Sequence, residues 1–225
     1  MTARRSIKRR PLVVGVIASR ADLDQAVRMR RPPDLFELRL DRLAGIAEQV
    51  ENLVPKLHTP LIITARHPRE GGARKLQLRQ RRDLLARFLN HADYIDLELR
   101  SAPAMRSLLK KKNVRWIISF HNFKSTPSVR TFVAKAYQAK SQGADIFKVA
   151  TRTDTPMELG RLLEFMRSNR LDLALAVMGI GKLGAISRVL LARAGSVLIY
   201  GSVGAMSDIE GQLSLEQLRT LGFGP

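Results

Sequence analysis

Cysteine is absent from the 225 residues, which excludes disulfides, thiolate nucleophiles, thiol redox chemistry and every cysteine-based zinc site. No apolar run reaches the roughly 18 to 20 residues needed to cross a bilayer, so no membrane span is expected. The first ten residues, MTARRSIKRR, lead straight into the strand-like PLVVGVIA rather than into a signal region with a small-residue cleavage site. Together with the missing cysteines, that points to the cytoplasm. Aromatics are scarce at 5%, too few for a stacking platform along single-stranded nucleic acid. Acidic residues are also few, 20 against 39 lysines and arginines, for a net charge of +19. Such a charge invites phosphate binding. The basic residues, however, are scattered over the N-terminal tail, the stretch from Arg66 to Arg87 and the run Lys110 to Lys112. We read them as solvated faces and expect no specific nucleic-acid partner.

Hydrophobic residues make up 45% of the chain and gather in short runs with room for a helix between them. Eight runs read as strands: PLVVGVIA, LFELRLD, PLIITAR, YIDLELR, RWIISFH, IFKVAT, LDLALAVMG and SVLIYGSV. Between them, Leu78 to Leu89, Ser128 to Lys140 and Pro156 to Asn169 show apolar residues at steps of three and four, as amphipathic helices do. Near-continuous apolar strands alternating with helices predict an α/β protein, a single (β/α)8 TIM barrel over residues 11–225 behind a basic tail at 1–10, with a doubly wound open sheet as the alternative. Barrel enzymes carry their chemistry at the C-terminal ends of the strands.

The second strand run places Glu37, Arg39 and Asp41 on one face and Leu38 and Leu40 on the other. In a barrel the charged row faces the lumen, either as a paired network or as a preorganised donor for a substrate carboxylate or hydroxyl. Arg66 closes the third run, followed by Arg69-Glu70-Gly71-Gly72, which reads as a flap on a glycine hinge. Asp96 and Glu98 share a face of the fourth. His58, His67 and His91 stand in loop or helix-end contexts without metal-ligand spacing and are assigned surface roles, so no metal is expected. His121 is different, because it ends a strand where a buried imidazole needs a reason, and Glu98 on the adjacent strand is its expected partner. Lys148 sits in the otherwise apolar sixth run. Either it reaches back to solvent or it is a nucleophile, since burial disfavours an ammonium and a neutral amine attacks ketones. Gly179-Ile180-Gly181-Lys182-Leu183-Gly184 has dinucleotide-fingerprint spacing, but it follows the seventh strand and the eighth ends without an acidic residue to hold a ribose. No nicotinamide, and no other cofactor, is expected. The following helix, with Ser187 and Arg188, opens on a first turn suited to an anion.

In this order, ELRLD, TARHPREGG, IDLEL, SFHNF, FKVAT, MGIGKLGAISR and EGQLS resemble the type I 3-dehydroquinate dehydratase family from the second strand to the eighth. The resemblance implies a shikimate-pathway hydro-lyase that converts 3-dehydroquinate to 3-dehydroshikimate without metal or cofactor, usually as a homodimer. It implies Lys148 as the Schiff-base lysine and His121 as general acid and base with Glu98 beside it. Glu37, Arg39 and Arg66 would contact substrate, Arg188 would clamp its carboxylate, and Ser207 and Gln212 would come from a closing loop. The loop departs from the family's serine-alanine-proline-glycine-glutamine, reading Asp208-Ile209-Glu210-Gly211-Gln212 with Ser207 just before it. A class I aldolase-type barrel and a catalytically idle, basic interaction module are the competing readings.

Overall fold

A computed structural model describes residues 10–73, 75–109, 114–168, 171–204 and 209–224. Most of the basic tail, the run Lys110 to Lys112, Ser207 and Asp208 lie outside the described residues. Eight strands follow the eight apolar runs: β1 (Leu12–Ile17), β2 (Leu35–Arg39), β3 (Leu61–Thr64), β4 (Tyr94–Glu98), β5 (Arg115–Asn122), β6 (Ile146–Arg152), β7 (Ala174–Ile180) and β8 (Leu198–Ser202). All neighbouring pairs are parallel, in the order β7-β6-β5-β4-β3-β2-β1-β8. At the seam the edge of β7 is satisfied piecemeal. Val197 N donates to Leu175 O at 2.8 Å, Val177 N to Ser196 Oγ at 2.9 Å and Gly179 N to Ser187 Oγ at 2.9 Å. The result is a nearly closed (β/α)8 barrel, as expected.

Nine helices are described around it: α1 (Arg20–Val27), α2 (Leu40–Leu43), α3 (Ala47–Leu53), α4 (Leu78–Phe88), α5 (Ala102–Leu109), α6 (Val129–Ser141), α7 (Pro156–Ser168), α8 (Gly184–Ala194) and α9 (Leu215–Thr220). Their starts are written locally. Ser19 and Ser214 close capping boxes with Asp22 and Gln217, and Ser128 accepts from Thr131 N.

Period-two alternation divides the buried residues into two cores. Leu38, Ile63, Leu97, Ile118, Phe147 and Val177 point outward under the helices, joined there by Leu85, Phe132 and Phe165. Val14, Leu35, Ile62, Tyr94, Ile117, Ile146 and Leu198 fill the lower lumen. Above this apolar floor the lumen turns polar, and the functional side chains stand there. One boundary differs from the sequence reading: β2 stops at Arg39, and Asp41 belongs to the first turn of α2. At this turn Asp41 accepts from the Arg39 side chain and from Ala73 N in the loop after β3.

Candidate active site

Lys148 is 4% exposed at the centre of β6 and does not reach back to solvent. Its Nζ donates to Asp96 Oδ2 at 2.9 Å and to Glu37 Oε1 at 3.5 Å, and lies 4.0 Å from the centroid of the Tyr200 ring. Asp96 is the hub of the floor. It also takes both terminal nitrogens of Arg66, at 3.0 and 2.8 Å, and the Ser119 hydroxyl at 2.6 Å. Burial alone would raise its pKa, but Arg66 and Lys148 outweigh that and hold it well below the usual carboxylate range. Glu37 accepts from the Thr64 hydroxyl at 2.7 Å.

The Arg39 fork is bidentate to Asp41, at 3.0 and 2.9 Å, with Nη2 also on Gly71 O at 3.1 Å. Asp41 in turn accepts the backbone N–H groups of Arg66 and Ala73, so its carboxylate fixes both ends of the loop that follows β3. Arg39 and Arg66 line the pocket as expected, but both guanidiniums are largely occupied by protein carboxylates. The charged row thus forms a paired network in the pocket wall.

The partner expected for His121 has to be corrected. Glu98 is wholly buried, but it accepts from Arg66 Nη1 at 3.3 Å, from His67 N at 2.8 Å and from Arg81 of α4. His121 instead meets Glu70, whose Oε2 takes the His121 backbone N–H at 3.0 Å and lies 3.2 Å from its Nδ1. The physical reason is the loop. Gly71 adopts φ +86°, and this left-handed turn folds the segment after β3 back over the barrel mouth, burying Glu70 to 5% exposure. Glu98 is already enclosed by arginines. The expected solvent flap is therefore a packed wall at Glu70. Burial, then the Glu98 charge, lift Glu70 to about 7. Burial, then the Arg66 and Lys148 cations, hold His121 well below its ordinary value, so its imidazole rests neutral.

Arg188 of α8 is 3% exposed and donates only through Nε to Gly211 O at 3.2 Å and through Nη1 to Met178 Sδ at 3.3 Å. No carboxylate lies within ion-pair distance of it among the described residues. Desolvation accordingly lowers its pKa to about 10. The remaining buried cations, Arg39, Arg66, Arg81 and Lys148, are matched one for one by Asp41, Asp96, Glu98 and Glu37. The fifth buried acid, Glu70, lies against His121 and Arg100, so Arg188 is the buried cation left without a carboxylate among the described residues, and an anionic ligand would compensate it. Ser187 does not help, since its hydroxyl donates to Gly184 O and accepts Gly179 N in joining α8 to β7. His58 and His91 are exposed, whereas His67 is half-buried and its ring accepts Arg69 N.

These groups line one pocket, shared by Glu37, Arg39, Arg66, Glu70, His121, Lys148, Arg188, Tyr200 and Gln212. Among the expected site residues, Glu98 stands behind this wall and Ser207 is outside the described residues. Sequence reasoning missed Glu70 and Tyr200 as site residues. Glu70 was visible only as an acidic residue before two glycines, and Tyr200 only as an aromatic in lumen phase on the last strand.

A family model for type I 3-dehydroquinase matches residues 13–222. A 3-dehydroquinate dehydratase of Thermodesulfovibrio yellowstonii is 33% identical over 190 residues, 82% of each chain. The crystal structure of the Geobacillus kaustophilus 3-dehydroquinate dehydratase superposes with a TM-score of 0.80 at 27% identity, covering 94% of this chain and 89% of that one. A type I enzyme of Clostridium difficile with covalently modified comenic acid gives a TM-score of 0.82 at 25% identity, covering 94% and 91%.

Proposed function

Because the chain belongs to the type I 3-dehydroquinase family, we propose that it dehydrates 3-dehydroquinate through an imine on Lys148, with His121 moving the protons. The observation that carries this reading is the opening of a buried lysine, a neutral imidazole and a buried arginine without a carboxylate partner into one pocket. The substrate carboxylate compensates Arg188 and sets the ring in place. The Lys148 nitrogen adds to the C3 ketone, its protons pass to the ketone oxygen, and that oxygen leaves as water to give an iminium, with the imidazole still neutral. The iminium withdraws electrons from C2, so His121 removes a proton there to give an enamine. The enamine pushes out the C1 hydroxyl, which takes a proton from the imidazolium and leaves as water. Hydrolysis of the conjugated imine then frees 3-dehydroshikimate and Lys148. Glu70 holds the imidazole through Nδ1, leaving Nε2 for the reacting atoms. Glu98 keeps Arg66 and Arg81 in place, and Gln212 and Ser207 contact substrate from the loop after β8.

Borohydride added with substrate separates the roles. It should leave a reduced adduct on the peptide containing Lys148, absent in Lys148→Ala. His121→Ala should lose ~10² to 10⁴ in turnover yet still be trapped. An adduct on another lysine, or full dehydration by Lys148→Ala, would overturn the mechanism. As partner we propose a second copy of the chain, supported by the exposed apolar side chains Met157 on α7 and Ile186 and Leu190 on α8. Among the described residues no helix is long and apolar enough to cross a membrane, and with no cysteine to oxidise we place the enzyme in the cytoplasm.

A further inference from the structure

The wall of the pocket made by β8 holds a polar group that the reaction above leaves unused. Tyr200 faces the lumen at 3% exposure, and its hydroxyl has no hydrogen-bond partner among the described residues. Its ring lies against the Lys148 ammonium, but phenylalanine would present a similar face to that cation. A buried hydroxyl without a partner is a cost to the free protein, so it calls for an explanation at the ligand.

The nearby carboxylates do not supply its acceptor. Glu37 is engaged by Thr64 and Lys148, and Asp96 by Arg66, Ser119 and Lys148. Burial, then those two carboxylates, push the phenol well above its ordinary pKa, so it keeps its proton and can donate. Arg66 and Arg188 are its other charged neighbours; Arg66 is held by Asp96 and Glu98, whereas Arg188 has no carboxylate among the described residues. Tyr200 on β8 and Arg188 on α8, the helix that leads into that strand, both line the pocket, and among the described residues neither donates to a carboxylate. Resting on the reading above, we propose that Tyr200 is a further substrate-binding residue, whose hydroxyl donates to the carboxylate that Arg188 holds.

Two controls come first, with wild-type protein: dehydration of 3-dehydroquinate and borohydride trapping on Lys148. Their failure would sink the functional reading, whereas the variants below bear on Tyr200 alone. Tyr200→Phe keeps the ring and its packing. It should raise KM about tenfold with kcat within roughly threefold of wild type, as expected for one lost charge-assisted hydrogen bond. The free Tyr200→Phe protein should at the same time melt roughly 2–4 °C higher, because an unsatisfied buried group has gone. A structural role would move stability the other way. In the Arg188→Ala background, or Arg188→Lys if that enzyme is too slow to assay, the same substitution should cost less than about twofold, since both donors serve one carboxylate. An unchanged KM, an unraised melting temperature, or a full tenfold loss without Arg188 would each overturn the proposal.

Discussion

Glu70 and His121 lie 3.2 Å apart with their proton affinities pushed toward each other, the acid up to about 7 and the imidazole well below its ordinary value. Such a pair titrates as a unit. Above pH about 7 the Glu70 carboxylate accepts the Nδ1 proton and fixes the tautomer; as pH falls through about 7 it is protonated and that hold is lost. Turnover should therefore show an acid limb with an apparent pKa near 7. In Glu70→Gln that limb should vanish between pH 6 and 8, with kcat at pH 8 down by ~10 to 10². An unmoved limb in Glu70→Gln would assign the ionisation elsewhere. The stability sign is separate. Because the folded value is raised from 4.5, the contribution of Glu70 to stability is whole below 4.5 and lost as pH rises through about 7.

Single elements hold the site as much as single residues do. Helix α4 sends Arg81 inward at 1% exposure, where it donates to Ala65 O at 2.7 Å, to Ser101 Oγ at 3.3 Å and to the Glu98 carboxylate. One side chain thus ties a helix to the ends of β3 and β4. Arg81→Met should destabilise the protein by about 3–5 kcal/mol, because it leaves one Glu98 oxygen and a carbonyl without donors inside the protein. Urea unfolding measures this, and adding Glu98→Gln should recover part of the loss. A cost under about 1 kcal/mol would mean that water replaces the guanidinium. The loop after β8 is held differently, by close approach. Gly211 has φ +77°, and a Cβ there would come within 2.6 Å of Gly184 Cα, so the loop carrying Gln212 can lie against α8 only as glycine on glycine.

The whole molecule combines a nearly charge-balanced interior with a strongly basic surface. Of the buried cations only Arg188 lacks a carboxylate among the described residues, so the excess of positive charge among those residues lies mainly outside the core. A diffuse positive surface attracts polyanions weakly and without sequence preference. In sedimentation runs with labelled random duplex DNA at 0.15 M salt, the protein should move at twice the mass of the chain, and the DNA should bind no tighter than a Kd of ~1 µM. A monomer would overturn the second-copy proposal. A Kd below ~0.1 µM with steep salt dependence would overturn the surface reading of the charge.

The strand order, the barrel and the family were legible in the chain because each rests on a local signal. Period-two alternation put Glu37 and Arg39 on the lumen face and Asp96 with Glu98 on one face of their strand before any contact was known, and seven short motifs in series carried the resemblance. Arg188 could likewise be placed at the start of a helix after the seventh strand. The sequence could not say which acid meets His121. Glu98 on the neighbouring strand was the local choice, but Arg66 and Arg81 converge on it from two other elements, and a left-handed turn at Gly71 brings Glu70 in its place. Nor could it mark Tyr200, whose importance is an unmet hydrogen bond that exists only once the lumen has closed around it. Strand phase is written in the spacing of neighbours, whereas the pairing of buried charges depends on competition among groups far apart in the chain, and only folding brings those groups together.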